Sequence, residues 1–185
     1  SVVNMAFNFF KKPDKTSKKE ESHSGPRYYD LTVKEVVQET ADTISVVFQH
    51  PENPIEYRSG QFLTLIAPVN GKEVRRSYSI CTSPFTDGDL AVTVKRVEGG
   101  LLSNWLADTL KPGAKVRVME PMGQFTTEYA PDRKRHLIMF AGGSGITPMM
   151  SIIKSILSQE PNSIVSLIYC NRDIDSVIFK EGLER

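Results

Sequence analysis

Up to about residue 121, apolar and polar positions alternate in short runs broken by turn residues; after that the rhythm changes. The first regime predicts β-strands at Tyr29–Val37, Thr43–Phe48, Gln61–Ala67, Val74–Ile80, Leu90–Val97 and Lys115–Met119. Ile44, Val46 and Phe48 fall at every second position, as do Leu90, Val92 and Val94, and that spacing puts side chains on one face of a strand. Strands at such intervals predict a closed, six-stranded antiparallel barrel. One helix interrupts them. Leu101, Leu102, Trp105, Leu106 and Leu110 recur at helical spacing, and Lys111-Pro112-Gly113 ends the run.

After Pro131 the pattern becomes a continuous apolar strand at His136–Ala141, a glycine loop, a helix at Pro148–Ser158 and a second apolar strand at Ile164–Tyr169. A third element is expected from about Asp175. This is a βαβ unit, with strands expected to be parallel and covered on both faces. The predicted organisation is a flexible leader at 1–26, a barrel domain at 27–131, and at 132–185 the start of an α/β nucleotide-binding domain, too short to be a complete one. The fold class is a β-barrel plus α/β.

Composition narrows the function classes. The chain has 185 residues, 39% hydrophobic and 24% charged, with a net charge of +1, so bulk charge gives no argument for nucleic acid. Between Lys11 and Lys19 lie five lysines, but Asp14, Glu20 and Glu21 interleave or follow, which reads as a solvated tail. The longest apolar stretches, Leu137–Ala141 and Met149–Leu157, fall short of the roughly 20 residues that cross a bilayer. Ser1–Phe10 lacks the basic region and cleavage pattern of a secretory signal. Cys81 and Cys170 are far apart, cannot build a four-thiolate cluster, and sit in apolar runs, so both are expected to be buried and reduced in a cytoplasmic protein.

Three segments carry candidate chemistry. In Ala141-Gly142-Gly143-Ser144-Gly145-Ile146-Thr147-Pro148, a strand meets a helix through glycines that let the backbone approach a ligand closely. Thr147 suits the N-cap and Pro148 the first helical position, and the free N–H groups beyond would face a pyrophosphate. Pro148 stands where the full dinucleotide fingerprint has a third glycine, so a plain strand-to-helix turn remains an alternative. Arg75-Arg76-Ser77-Tyr78-Ser79 brings an arginine, hydroxyls and an aromatic ring onto one strand, with Arg76 and Tyr78 on one face and Ser77 and Ser79 on the other. An exposed strand of mixed polarity would look the same. Glu98-Gly99-Gly100-Leu101-Leu102-Ser103 opens the predicted helix, and Ser103 suits either a cap or a phosphate contact.

Taken in order, Gly60-Gln61-Phe62, Arg76 to Ser79, Gly99 to Ser103, Pro121-Met122-Gly123-Gln124-Phe125 and Gly142 to Pro148 resemble the ferredoxin-NADP reductase superfamily. Within it, the chain resembles the reductase components of bacterial ring-hydroxylating and phenylacetyl-CoA oxygenases, from about Tyr28 to Arg185. The resemblance implies FAD in the barrel, with Arg76 on the flavin phosphate, Tyr78 beside the ring and ribityl chain, and Ser79 near N5. It also implies that Gly99, Gly100, Leu102 and Ser103 cradle the pyrophosphate. Gly142, Gly143, Ser144, Gly145, Thr147 and Pro148 would hold NADPH or NADH, with Thr147 where nicotinamide meets flavin. Asn171 and Arg172 would lie on the adenosine side, where Arg172 could pair with a 2′-phosphate. Electrons would pass to a [2Fe-2S] centre. This chain departs from the family in having Cys170 where many relatives have glycine, and it contains neither the family's Cys-Gly-Pro segment nor a cysteine-rich ferredoxin domain. Either the protein continues past Arg185, or a partner supplies the cluster.

The leading expectation is a flavoprotein that takes hydride from NAD(P)H and feeds an iron-sulfur protein or oxygenase. A flavin-binding electron-transfer subunit that does not use NAD(P)H productively is the runner-up, and a binding module without flavin the third.

Overall fold

The computed structural model describes residues 25–52 and 54–184, so the expected leader lies almost wholly outside the described residues. Six strands, β1 (Tyr28–Thr40), β2 (Thr43–Phe48), β3 (Phe62–Val69), β4 (Lys72–Ser79), β5 (Ala91–Lys95) and β6 (Lys115–Met119), form one antiparallel sheet in the order β4-β3-β6-β1-β2-β5. β1 is longer than its apolar alternation predicts. Its first half pairs with β6, and its second half pairs with β2 through register shifts at Val33/Glu35 and Gln38/Thr40. Such irregularities bend a strand, and here they let one strand serve both halves of the curl. The two edge strands meet at a single isolated bridge, Ile80↔Val92. The sheet therefore curls into a barrel whose β4–β5 seam is closed at that point only.

The helix α1 (Leu101–Thr109) packs against β3, β4 and β5, and so plugs this seam. Leu102 and Leu106 enter the barrel core, beside Phe48, Leu63, Leu65 and Val118. At roughly 1.5–3 kcal/mol per fully buried large apolar side chain, this packing sets the position of α1 far more firmly than the intrinsic helix propensity of nine residues.

The second unit has parallel β7 (His136–Gly142) and β8 (Ile164–Cys170), joined by α2 (Ile146–Gln159) and followed by a short α3 (Lys180–Leu183). Leu167 and Tyr169 pack with Ala141, Ile146 and Ile178 on the covered face. The expectation of burial on both faces is corrected here. Ile138 is 60%, Phe140 66% and Ile168 48% exposed, because no element among the described residues covers their face. Cys170 pairs with Gly142 on that same face and is exposed, contrary to expectation, while Cys81 is buried; both are free thiols. The element expected near Asp175 is a 3₁₀ turn, Ile174–Ser176, capped by Asp173.

Small polar residues fix α2 to the barrel. Ser155 Oγ lies 2.5 Å from Ser59 Oγ and 2.8 Å from Ser83 Oγ, and Ser151 Oγ donates to the Thr82 carbonyl at 2.5 Å. Each hydroxyl left unpaired in this buried contact would cost about 1–3 kcal/mol, so the pairing holds one docking register. Gly60 makes room at this contact: its φ is +89°, and a Cβ there would fall 1.9 Å from the Phe125 carbonyl oxygen of the segment leaving the barrel and 3.0 Å from Ile152 Cδ1 of α2. At the far end of α2 the fully buried Glu160 carboxylate accepts from Arg135 Nε and Nη2, both at 2.9 Å, and from Ser163 at 2.8 Å.

Candidate functional site

The open part of the β4–β5 seam gathers the first group of candidate residues. Arg76 lies opposite Leu65 and Tyr78 opposite Leu63, both fully buried core residues, so the register puts Arg76 and Tyr78 on the inner face. Ser77 lies on the other face, where its hydroxyl is 3.0 Å from Thr64 Oγ1. Ser79 ends the strand opposite Phe62 and is half-buried. Counting back from the Ile80↔Val92 bridge places Tyr78 across from Val94 and Arg76 across from Arg96. The chain leaves β5 at that point for Gly99 and Gly100.

Among the described residues no carboxylate lies within salt-bridge distance of Arg76, whose Nη1 donates only to the Arg75 carbonyl at 2.7 Å. Arg96, by contrast, is paired with Asp108 at 2.5 Å. Arg76 is thus a cation available to an anion at the mouth of the seam. Burial raises the Tyr78 phenol to about 12, against a smaller downward pull from the Arg76 charge, so the ring is neutral at physiological pH.

Gly100 is the N-cap of α1 and provides no side-chain cap, so N–H groups in the first turn are free to meet an anion. A Cβ at Gly100 would fall 2.7 Å from Ser103 Oγ and 2.9 Å from the Val97 carbonyl oxygen. Leu102 points into the core and can offer a ligand only its backbone. Ser103 is buried, and its Oγ accepts from the Val97 N–H at 3.1 Å, so it braces the turn from within.

The second group sits at the carboxyl ends of β7 and β8, the edge where open α/β sheets hold ligands. Gly143, Ser144 and Gly145 form a 3₁₀ turn that runs directly into α2, with Gly145 as N-cap. The expected capping role of Thr147 is therefore corrected: Thr147 is the second helical residue and Pro148 the third, still inside the first turn, where a missing N–H costs little. The helix starts earlier than expected because Gly145 is already right-handed helical, at φ −62° and ψ −14°, and the 3₁₀ turn leads straight into it. Thr147 is 1% exposed, and its Oγ1 has no hydrogen-bond partner.

Asn171 and Arg172 line one cleft of about 250 Å³ with Gly143, Cys170, Ser176 and Lys95, the last residue of β5. The Gly143 turn thus lies beside Lys95, at the end of the strand that leads toward the α1 turn. Arg172 and Lys95 approach Asp42 at 3.7 and 3.4 Å, a surface contact worth little by itself.

Residues 29–127, more than half of the chain, match the oxidoreductase FAD-binding domain. The chain belongs to that family. Residues 139–185 match the oxidoreductase NAD-binding domain. The ferredoxin reductase component of 3-ketosteroid-9-alpha-monooxygenase from Rhodococcus rhodochrous is 48% identical to this FAD-domain protein, over 86% of the chain and 45% of the relative. A component of 1,2-phenylacetyl-CoA epoxidase from Escherichia coli K12 is 39% identical, over 84% of the chain and 44% of the relative. The chain therefore spans less than half the length of these curated relatives. Among solved structures, phthalate dioxygenase reductase, described as transferring electrons from pyridine nucleotides to [2Fe-2S], superposes with a TM-score of 0.72 at 26% identity, over 85% of the chain and 48% of its own length.

The residues present fit the two cofactors. An uncommitted arginine, a helix start at Gly100 without a side-chain cap, and a buried hydroxyl without a partner at Thr147 are what a phosphate-bearing flavin and a nucleotide would satisfy. Two supporting residues escaped the sequence reading. Tyr169 donates from its hydroxyl to the Gly143 carbonyl at 2.9 Å and accepts from the Ile178 N–H at 3.3 Å, tying the glycine turn to the C-terminal segment. Its position two after Leu167, on the covered face of β8, was the available signal. Asn104 is the other, and its polarity within a helix of apolar spacing was the only hint.

Proposed function

We propose that this chain is the FAD-binding barrel, near 27–131, and the opening of the nucleotide domain, from about 132, of an NAD(P)H-dependent flavin reductase. It would feed an iron-sulfur protein or an oxygenase component. The observation that carries the proposal is a seam bearing Arg76 and Tyr78 with the capless start of α1 beyond β5, together with a glycine turn at Gly143 that shares a cleft with Lys95 at the end of β5. A phosphate-bearing ligand at each start would satisfy both.

Arg76 holds the flavin phosphate, the backbone of Gly99 to Ser103 receives the pyrophosphate, and Tyr78 stacks against the ring. Ser77 supports the strand through Thr64, and Ser79 sits at the ring's reacting edge. Gly142 to Pro148 seat the nicotinamide nucleotide, and Thr147 donates its orphan hydroxyl where the two cofactors meet. Asn171 and Arg172 receive the far half of the nucleotide, with a 2′-phosphate favouring NADPH. When bound, the flavin supplies acceptance of a hydride from nicotinamide and release of single electrons; the protein supplies alignment and water exclusion. The [2Fe-2S] acceptor belongs to a partner or a further domain. No helix among the described residues is long and apolar enough to cross a membrane, and two unpaired thiols support a reducing, cytoplasmic setting.

The test is absorption spectroscopy of the protein with added FAD, followed by NADPH or NADH under argon. Retained flavin bands that bleach with either nucleotide are expected. Bands that are retained but never bleach would support an electron-transfer subunit that does not use the nucleotide. A protein that ignores FAD would overturn the proposal.

A further inference from the structure

The α1 turn contains an arrangement that the flavin reading does not use. The side chain of Asn104, in the second turn of α1, reaches back and donates Nδ2 to two carbonyls of the preceding loop: Gly100 at 2.7 Å and Val97 at 2.9 Å. The Val97 carbonyl also accepts the Gly100 N–H at 2.8 Å, and the Val97 N–H is held by Ser103 Oγ. On its other side Asn104 Oδ1 faces Arg96 Nη1 at 3.5 Å, and Arg96 is itself fixed by Asp108. One carboxamide thus closes the loop from behind.

The physical need for such a closure lies in the two glycines. Gly99 is left-handed at φ +67° and Gly100 extended at φ −69°, ψ 124°. With no Cβ on Gly100, the peptide that follows it, Gly100–Leu101, flips at little steric cost, and a flip replaces the outward N–H of Leu101 with the Gly100 carbonyl oxygen, which repels an anion. Asn104 binds the carbonyls on the far side, which keeps the donors of the turn facing outward.

We infer that Asn104 is a positioning residue for flavin binding: it locks the Gly99–Gly100 turn in its anion-accepting orientation and touches no cofactor itself. This rests on the reading of that turn as the pyrophosphate site. A carboxamide suits the place, because its Nδ2 donates to two acceptors while its Oδ1 faces the Arg96 guanidinium. The isosteric Asn104→Asp places a carboxylate against two carbonyl oxygens and favours the flipped loop.

The experiment compares wild type, Asn104→Ala and Asn104→Asp in two measurements: melting temperature without flavin, and the dissociation constant for FAD from quenching of flavin fluorescence. Asn104 is half-buried on the helix surface, so both variants are expected to fold, with flavin-free melting points within a few degrees of wild type. FAD binding is expected to weaken roughly tenfold in Asn104→Ala, the factor that corresponds to about 1.4 kcal/mol, and further in Asn104→Asp. Lowering the pH should partly restore Asn104→Asp, because a protonated carboxyl can donate again. Unchanged FAD affinity in both variants would overturn the inference. So would a loss of affinity matched by an equal loss of flavin-free stability, which marks a merely structural residue. Failure of the wild type itself to bind FAD would overturn the flavin reading first and the inference with it.

Discussion

Replacing Thr147 by valine should stabilise the cofactor-free protein while impairing its use of nicotinamide. The two side chains have nearly the same shape, so the substitution removes one hydroxyl and leaves the packing around α2 intact. That hydroxyl is buried, the residue being 1% exposed, and Oγ1 has no partner. A buried polar group without a hydrogen bond costs about 1–3 kcal/mol, and the added methyl gains part of the transfer free energy of one buried carbon. The expected gain is about 1–2 kcal/mol, or roughly 2–8 °C in melting temperature for a chain of this size. The cofactor-free protein is melted by circular dichroism, and the FAD-loaded protein is then mixed with NADPH or NADH in a stopped-flow instrument to follow bleaching. Flavin should stay bound and reduction should slow by about tenfold, the loss of one well-placed hydrogen bond. A lower melting temperature for Thr147→Val would refute the reasoning, because it would mean that the hydroxyl has a partner in the folded protein. Release of flavin would place Thr147 in the barrel's site instead.

Two other outcomes follow from the same geometry. Arg76→Ala should weaken FAD binding by about 1.5–3 kcal/mol, the value of a charge-assisted hydrogen bond to phosphate, with melting of the flavin-free protein nearly unchanged because Arg76 is exposed and holds only a neighbouring carbonyl; fluorescence titration checks both. Glu160→Gln should destabilise the protein by about 2 kcal/mol in denaturant unfolding, since two arginines lose their shared buried anion. Burial of Glu160 pushes its carboxyl upward, but hydrogen bonds from Arg135 and Ser163 and the charge of Arg135 outweigh it and hold the group below the usual carboxylate range. With the folded value below the unfolded one, its contribution is complete above about pH 4.3 and is lost as pH falls through the folded value. The glutamine variant should lack that acid-sensitive step.

Strand and helix identities were legible because they follow from local periodicity. Thr43–Phe48 and Lys115–Met119 match their predicted bounds, and α1 and α2 appear where apolar spacing shifts from two to about 3.6. The ordered set of short motifs was legible too, as each uses residue types that only certain backbone shapes need. Periodicity did not reveal what covers each face. The uninterrupted apolar runs of β7 and β8 look alike on both sides, yet only one side is covered among the described residues, and this leaves Cys170 exposed. Nor did local signals locate the start of α2, because Thr147 is a good cap by type, whereas in the fold the 3₁₀ turn at Gly143–Gly145 leads into a helix already begun at Ile146.

The sequence by itself determined the elements, their order and the residue types able to meet phosphate and flavin, since these depend on neighbours a few positions away. The tertiary structure alone decided that the β4–β5 seam stays open beside Arg76 and Tyr78, and that Lys95 and Gly143 share a cleft. It alone decided that Thr147 is buried without a partner and that Asn104 reaches back to close its own turn. Those facts rest on pairings across tens of residues, where curling of the sheet and docking of α2 through Ser59, Ser83 and Ser155 fix distances that no local pattern encodes.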